Sequence, residues 1–194
     1  MTETIAAIIW GLGILLWGAI RFPRRRVAQK TKVIADRKST FEWIALTACI
    51  IGLVVLPLLY IVTGAPGFSD RSFAAWNGWF GLVVMVAFLI TFRMSHKHLG
   101  KSWSVTLEVR EDHKLVTQGI YRYVRHPMYS SFWLWGIAQA LLVPNWIAGF
   151  AGLASVALLY FGRVAAEEEM MRDEFGEDYV AYCARTGRII PRLF

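Results

Sequence analysis

Apolar and polar positions alternate along this chain in long blocks, not within single turns. Windows of about 20 residues pick out 4–20, 41–62 and 74–92 as nearly charge-free runs. A further apolar stretch covers 130–162 and is broken by Pro144-Asn145. A membrane-crossing helix needs about 20 residues, so the two halves, 130–143 and 146–162, read as a short helical hairpin. The pattern predicts an all-α polytopic membrane protein. It has about five transmembrane helices, or three plus a re-entrant hairpin, and a small cytoplasmic region. Residues 1–92 form an N-terminal three-helix membrane region. Residues 93–194 hold the polar segment, the 130–162 hairpin, and a C-terminal helix and tail. The first apolar block lacks a basic stretch ahead of it and carries Glu3 instead, so it reads as a retained anchor and not a cleaved leader.

Composition agrees with that pattern. The chain has 194 residues, 56% of them hydrophobic, with 9 Trp and 12 Phe. Its net charge of +7 raises the question of nucleic acid, and the distribution answers it. Eight Lys/Arg lie in 21–38, seven in 93–125 and five from Arg163 onward, while the remaining loop has only Arg71. Twenty of the 21 basic residues thus fall on one side of the topology. Basic residues collect on the cytoplasmic side of membrane proteins, which places the N-terminus outside and the C-terminus inside. The charge serves topology and lipid headgroups, and no nucleic-acid partner is expected. Cys49 lies mid-span and Cys183 in the tail, so no disulfide framework is implied.

Three places carry polar groups that a bare scaffold does not need. In GIYRYVRHPMYSSF (119–132), Gly119 permits a turn and Pro127 suits the first turn of the next helix. Arg125 and His126 then sit near a helix N-terminus, where free N–H groups favour carboxylate or phosphate. Interfacial anchoring explains Arg122 and Tyr123 well enough, but not the Arg125-His126-Pro127-x-Tyr129 group. Val105, Leu107 and Val109 alternate with polar residues and suggest a short extended piece ahead of it.

In the second place, RVAAEEEMMRDEF, Arg163 and Glu167 are four apart and share a helix face just past the apolar run. Three adjacent glutamates cannot all point one way. A solvated amphipathic helix accounts for Glu168, Glu169, Asp173 and Glu174, with Glu168–Arg172 a weak surface pair. The third is SHKHLGKSW, where His96 and His98 share a face if extended. No cysteine or carboxylate cluster completes a metal site there, and none is expected. Nucleotide-binding glycine motifs and Ser-His-Asp constellations are missing as well.

The run HKLVTQGIYRYVRHPMY (113–129), then an apolar hairpin, then RVAAEEEMMRDEFGEDYVAYCARTGRIIP (163–191), resembles the isoprenylcysteine carboxyl methyltransferase family. The resemblance spans roughly His113 to Pro191 and points to a short, prokaryotic-like member of these integral membrane enzymes. It implies methylation of the C-terminal carboxylate of a prenylated cysteine, or a similar lipid-linked carboxylate, using S-adenosyl-L-methionine. By the same resemblance His113, Lys114, Leu115, Val116 and Tyr121 would line the cofactor pocket. His126, Pro127, Met128 and Tyr129 would close it, and Glu167 would hold the methionine amino group. Arg163 would face the substrate carboxylate as the catalytic and substrate-binding residue. Ser131, where the family often has Gly, and the TGRIIP ending depart from the pattern.

The physics of the reaction is compatible. A carboxylate is already ionised at neutral pH, so the site owes it positioning and dryness, not a base. An amine acceptor must first lose a proton and has less use for Arg163, which weighs against phospholipid N-methylation. A non-enzymatic membrane scaffold predicts no cofactor affinity.

Overall fold

A computed structural model describes residues 1–28, 33–36, 39–100, 108–110 and 115–192. The apolar windows all become helices: α1 (Glu3–Ala28), α2 (Thr40–Ile50), α3 (Leu56–Thr63), α4 (Ala75–Leu99), α5 (Pro127–Leu142) and α6 (Trp146–Arg185). A π-helical turn, Ile51–Val55, joins α2 to α3 as one rod. Among the described residues four helical segments are long and apolar enough to cross a membrane: Glu3–Pro23, Thr40–Thr63, Ala75–Leu99 and Trp146–Arg185. At 1.5 Å per residue the 16-residue α5 reaches about 24 Å, short of a hydrocarbon core of about 30 Å.

The hairpin differs from the sequence expectation in one respect. Its second arm does not stop near Gly162 but stays helical as far as Gly176. There the backbone leaves the helical region (φ 51°) and kinks the chain before a short further helix ending at Arg185. No Gly or Pro between 163 and 175 interrupts it, so nothing local ends the helix where hydropathy falls. Arg163 and the three glutamates therefore ride on a rigid extension of a membrane helix.

Local chemistry sets the helix ends. Ser39 caps α2, its Oγ accepting from the Glu42 N–H at 3.1 Å, and Asn145 caps α6, accepting from the Ala148 N–H at 2.8 Å. Pro127 opens α5, where no intrahelical donor is missed. The core joins Phe88 and Phe92 of α4 to Trp135 of α5, with Phe88 and Trp135 stacked at 4.9 Å and Trp17 of α1 at 5.1 Å from Trp135. The π turn packs backbone-close on α6: a Cβ at Gly52 would lie 2.6 Å from the Ala151 carbonyl oxygen. Small residues permit such approaches in membranes. Here the fully buried Gln139 amide donates to the carbonyls of Gly52 (2.8 Å) and Ala148 (2.7 Å).

The connections before α2 and after α4 meet in a two-stranded antiparallel ladder, β1 (Val33–Asp36) with β2 (Glu108–Arg110). The predicted extended piece thus exists at Val109, while 105 and 107 lie outside the described residues. A parallel bridge, Val124 to Gly187, ties the α4–α5 connection to the tail. Described parts of all three basic segments are thus linked, 33–36 to 108–110 and Val124 to Gly187.

Candidate active site

The chain between α4 and α5 is shaped by Gly119, whose φ of 63° lies in the left-handed region. The His98 ring also fills the space that a Cβ there would need. A 3-10 turn, Gly119–Arg122, follows. The tail then zips along this strand: Arg125 N–H donates to the Gly187 carbonyl and His126 N–H to the Arg188 carbonyl, both at 2.9 Å. Ser130 Oγ donates to the Ile189 carbonyl at 2.6 Å. Those bonds deliver three side chains, Arg125, His126 and Arg188, to one point on α6.

That point is Glu168. Its Oε1 accepts from Arg125 Nε at 2.8 Å and Arg188 Nε at 3.0 Å, and Arg188 Nη2 reaches Oε2 at 2.6 Å. His126 Nε2 lies 3.2 Å from the same Oε1. The sequence reading that placed Glu168 on a solvated face is corrected here: its side chain is only 2% exposed. The Arg172 pair exists at 3.7 Å but is the weakest contact of the set. Burial pushes the Glu168 carboxyl up, yet the His126 and arginine hydrogen bonds outweigh burial and hold it far below the usual carboxylate range. Tail folding decided this, because the bridge at Gly187 brings in Arg188 and no helical spacing announces it.

Glu167, the preceding residue on α6, has a different environment. Its side chain keeps 26% exposure. Tyr129 Oη donates to Oε2 at 2.8 Å, His126 Nδ1 lies 3.5 Å from Oε1 and Arg163 Nε 3.7 Å from Oε2. Burial raises the Glu167 carboxyl, but the His126 hydrogen bond and charge, then Arg163 and Tyr129, bring it down to about 2. The imidazole of His126 sits between two carboxylates. Burial alone lowers its pKa, and the Glu167 and Glu168 hydrogen bonds and charges outweigh that and raise it. Both ring nitrogens face acceptors, which suits the imidazolium. Glu169 is exposed, so the three glutamates separate into a buried anchor, a half-open ligand position and a solvated face.

Arg163 lies beside them, with 11% exposure and two carboxylates in reach: Glu167, as the spacing predicts, and Glu42 Oε1 at 2.9 Å from Nη1. Sequence reasoning missed Glu42. It is 2% exposed and sits in the first turn of α2. The signal was available: Glu42 is the single charged residue in the 41–62 window, and an ionisable group inside a membrane window marks function by default.

The other expected residues divide. Pro127 and Tyr129 are buried at the start of α5, and Met128 is half-buried against the apolar core. Tyr121 is buried and its carbonyl accepts from Tyr182 Oη at 2.6 Å. Leu115 and Val116 are half-buried on the approach to the 3-10 turn. His113 and Lys114 lie outside the described residues. The two histidines of SHKHLGKSW do not share a face: both are on α4, two positions and so about 200° apart. His96 is buried, with Nδ1 3.0 Å from the Phe92 carbonyl, and His98 Nδ1 is 2.8 Å from the Met94 carbonyl. Tyr123 is 59% exposed, in keeping with an interfacial role. Among the described residues no group of three His, Cys, Asp or Glu is placed to hold a metal.

Residues 79–173 match the model of the isoprenylcysteine carboxyl methyltransferase (ICMT) family. The chain is similar to protein-S-isoprenylcysteine O-methyltransferase B of Arabidopsis thaliana, 31% identical over 60% of this chain and 60% of the relative. It is also similar to that plant's protein-S-isoprenylcysteine O-methyltransferase A, 28% identical over 71% of each. The enzyme of that name from Dictyostelium discoideum is 31% identical over 64% of this chain and 53% of the relative. The chain thus spans about 60% of the length of the first relative. The solved structure of a eukaryotic intramembrane Ras methyltransferase, ICMT, shares the fold at a TM-score of 0.53 and 24% identity, over 81% of this chain and 54% of the other.

Proposed function

We propose that the chain, whose residues 79–173 match the isoprenylcysteine carboxyl methyltransferase family model, belongs to that family and esterifies the C-terminal carboxylate of an isoprenylated cysteine or a similar lipid-linked carboxylate. S-adenosylmethionine would supply the methyl group: an acceptor oxygen forms the O–C bond with its own electron pair, the C–S pair goes to sulfur, and no proton moves. The donor set fits that cofactor, since a half-open carboxylate held ionised beside Tyr129 suits an ammonium group. Glu167 would bind that ammonium, with Leu115, Val116, Tyr121, His126, Pro127, Met128 and Tyr129 around it. His113 and Lys114 belong to the same proposed pocket by resemblance alone.

The observation that carries the reading is the placing of Arg163 next to Glu167 where α6 leaves its apolar stretch. A guanidinium there offers a planar fork to a lipid-borne carboxylate, beside a group suited to the opposite charge. An amine acceptor would meet a cation instead, so phospholipid N-methylation is disfavoured. The chain's own contribution is orientation and exclusion of water. Residues 93–194 would form the catalytic part, and 1–92 a membrane region that also lends Glu42. The basic end of the bundle would face the cytoplasm, with the N-terminus outside.

Purified protein in lipid, given methyl-labelled S-adenosylmethionine and farnesylated cysteine, is expected to form a base-labile labelled ester. Arg163→Ala is expected to lose transfer by about a hundredfold or more while cofactor affinity survives. Label in a base-stable product, or equal loss of transfer and cofactor binding in the variant, would overturn the assignment.

A further inference from the structure

Glu42 and Arg163 are held together from two different helices at 2.9 Å, both nearly out of water. Glu42 stands outside residues 79–173, and the Ser39 cap fixes its turn. We propose that Glu42 is a positioning residue that shares the charge of Arg163, so that the acceptor carboxylate is bound loosely enough to give up its charge during methylation. This inference rests on the carboxyl-methylation reading.

The argument is one of charge along the reaction. The acceptor enters carrying −1 and leaves as a neutral ester. A guanidinium with no carboxylate beside it, at a low-dielectric boundary, would hold the ionised acceptor most strongly at the start. It would lose that attraction progressively as the charge fades. Binding spent on the ground state in this way lowers KM and kcat together. Two carboxylates, Glu42 and Glu167, already face the Arg163 guanidinium. They dilute its pull while leaving it able to orient a third carboxylate. The arrangement also means that Arg163 is paired whether or not acceptor is bound, which spares it the penalty of a lone buried charge. Product release benefits in the same way, since the ester leaves behind a compensated site.

The alternative is that Glu42 only neutralises a buried arginine for folding. The two differ in a ratio. With S-adenosylhomocysteine present, so that no methyl can move, the affinities of farnesylcysteine and of its methyl ester are measured on the full chain in lipid. The parent is expected to bind the two within about tenfold of each other, the scale of one partly screened charge. Glu42→Gln is expected to tighten the carboxylate by about a further tenfold and leave the ester unchanged. In turnover it should lower KM and kcat by similar factors, and Glu42→Asp should restore the parental ratio. A parent that already prefers the carboxylate by a hundredfold would overturn the role without any variant having to fold. So would a Glu42→Gln protein whose carboxylate binding weakens, or shifts equally with the ester. If the parent forms no ester from labelled S-adenosylmethionine, carboxyl methylation fails and this role goes with it.

Discussion

The two ends of the α5–α6 hairpin both bury polar groups, and they do so in opposite styles. At the turn, Asn145 donates to the Pro66 carbonyl and to Asp70, each within 2.9 Å, accepts from Ser69 Oγ at 2.9 Å and caps α6. Arg71 donates to the carbonyls of Ala140 and Val143 at the end of α5 and lies over Trp146. Every one of these groups serves chain reversal, and their partners are mostly backbone. At the other end, arginines 125, 163 and 188 and His126 converge on the carboxylates of Glu42, Glu167 and Glu168. Charge meets charge there, and one carboxylate stays half-open. The turn closes most of its hydrogen bonds on the backbone, whereas the basic end sets charge against charge on two buried carboxylates and one half-open one, Glu167.

The largest effect should come from Glu168→Ala. It strands Arg125, His126 and Arg188 around an empty point, and breaking a buried ion pair costs about 3–5 kcal/mol, read as a fall in Tm. The same network gives stability a pH signature that the turn should lack. His126 has a raised pKa, so its contribution is complete below about 6.5 and fades as pH climbs through the raised value. Glu167 is lowered from 4.5 to about 2, so its contribution is complete above 4.5 and fades as pH falls towards 2. Tm should therefore be highest between these limits and decline on the alkaline side. His126→Gln should flatten that alkaline decline, and an unchanged slope would break the comparison.

Glu167→Gln comes next. Losing a charge-assisted hydrogen bond is worth about 1.5–3 kcal/mol, or roughly 10- to 100-fold in S-adenosylmethionine affinity by calorimetry, with Tm much less affected than by Glu168→Ala. Asn145→Ala is the matching cut at the turn. It should cost about 0.5–2 kcal/mol of stability and leave cofactor affinity untouched; a change in that affinity would mean the two ends are coupled. Smallest of all, Arg172→Ala removes a 3.7 Å contact from a residue 53% exposed, and Tm should move by less than the equivalent of about 0.5 kcal/mol.

Much of the fold was legible because membrane burial writes itself into sequence as long uninterrupted blocks. The windows at 4–20, 41–62 and 74–92 reappear as helices, and Pro127 and Asn145 mark real helix starts. The site was half legible. Arg163 and Glu167 follow from four-residue spacing, and the RHPxY group stood out against its apolar surroundings. Glu168 was misread because nothing in EEE distinguishes one glutamate from the next until a partner surface is known. His96 and His98 were misread because their shared face presupposed a strand, and α4 runs through them as helix.

The sequence by itself determined which segments are apolar enough to enter lipid, where the cationic residues collect and which family the chain resembles. These are properties of composition, spacing and short contiguous motifs. Tertiary structure alone decided that Glu42 meets Arg163, that the tail delivers Arg188 to Glu168, and that Glu167 is the carboxylate left open. Such pairings depend on how α2 crosses α6 and on the register in which Val124 meets Gly187. Periodicity within a helix fixes which side of it a residue faces, and only packing fixes what waits on that side.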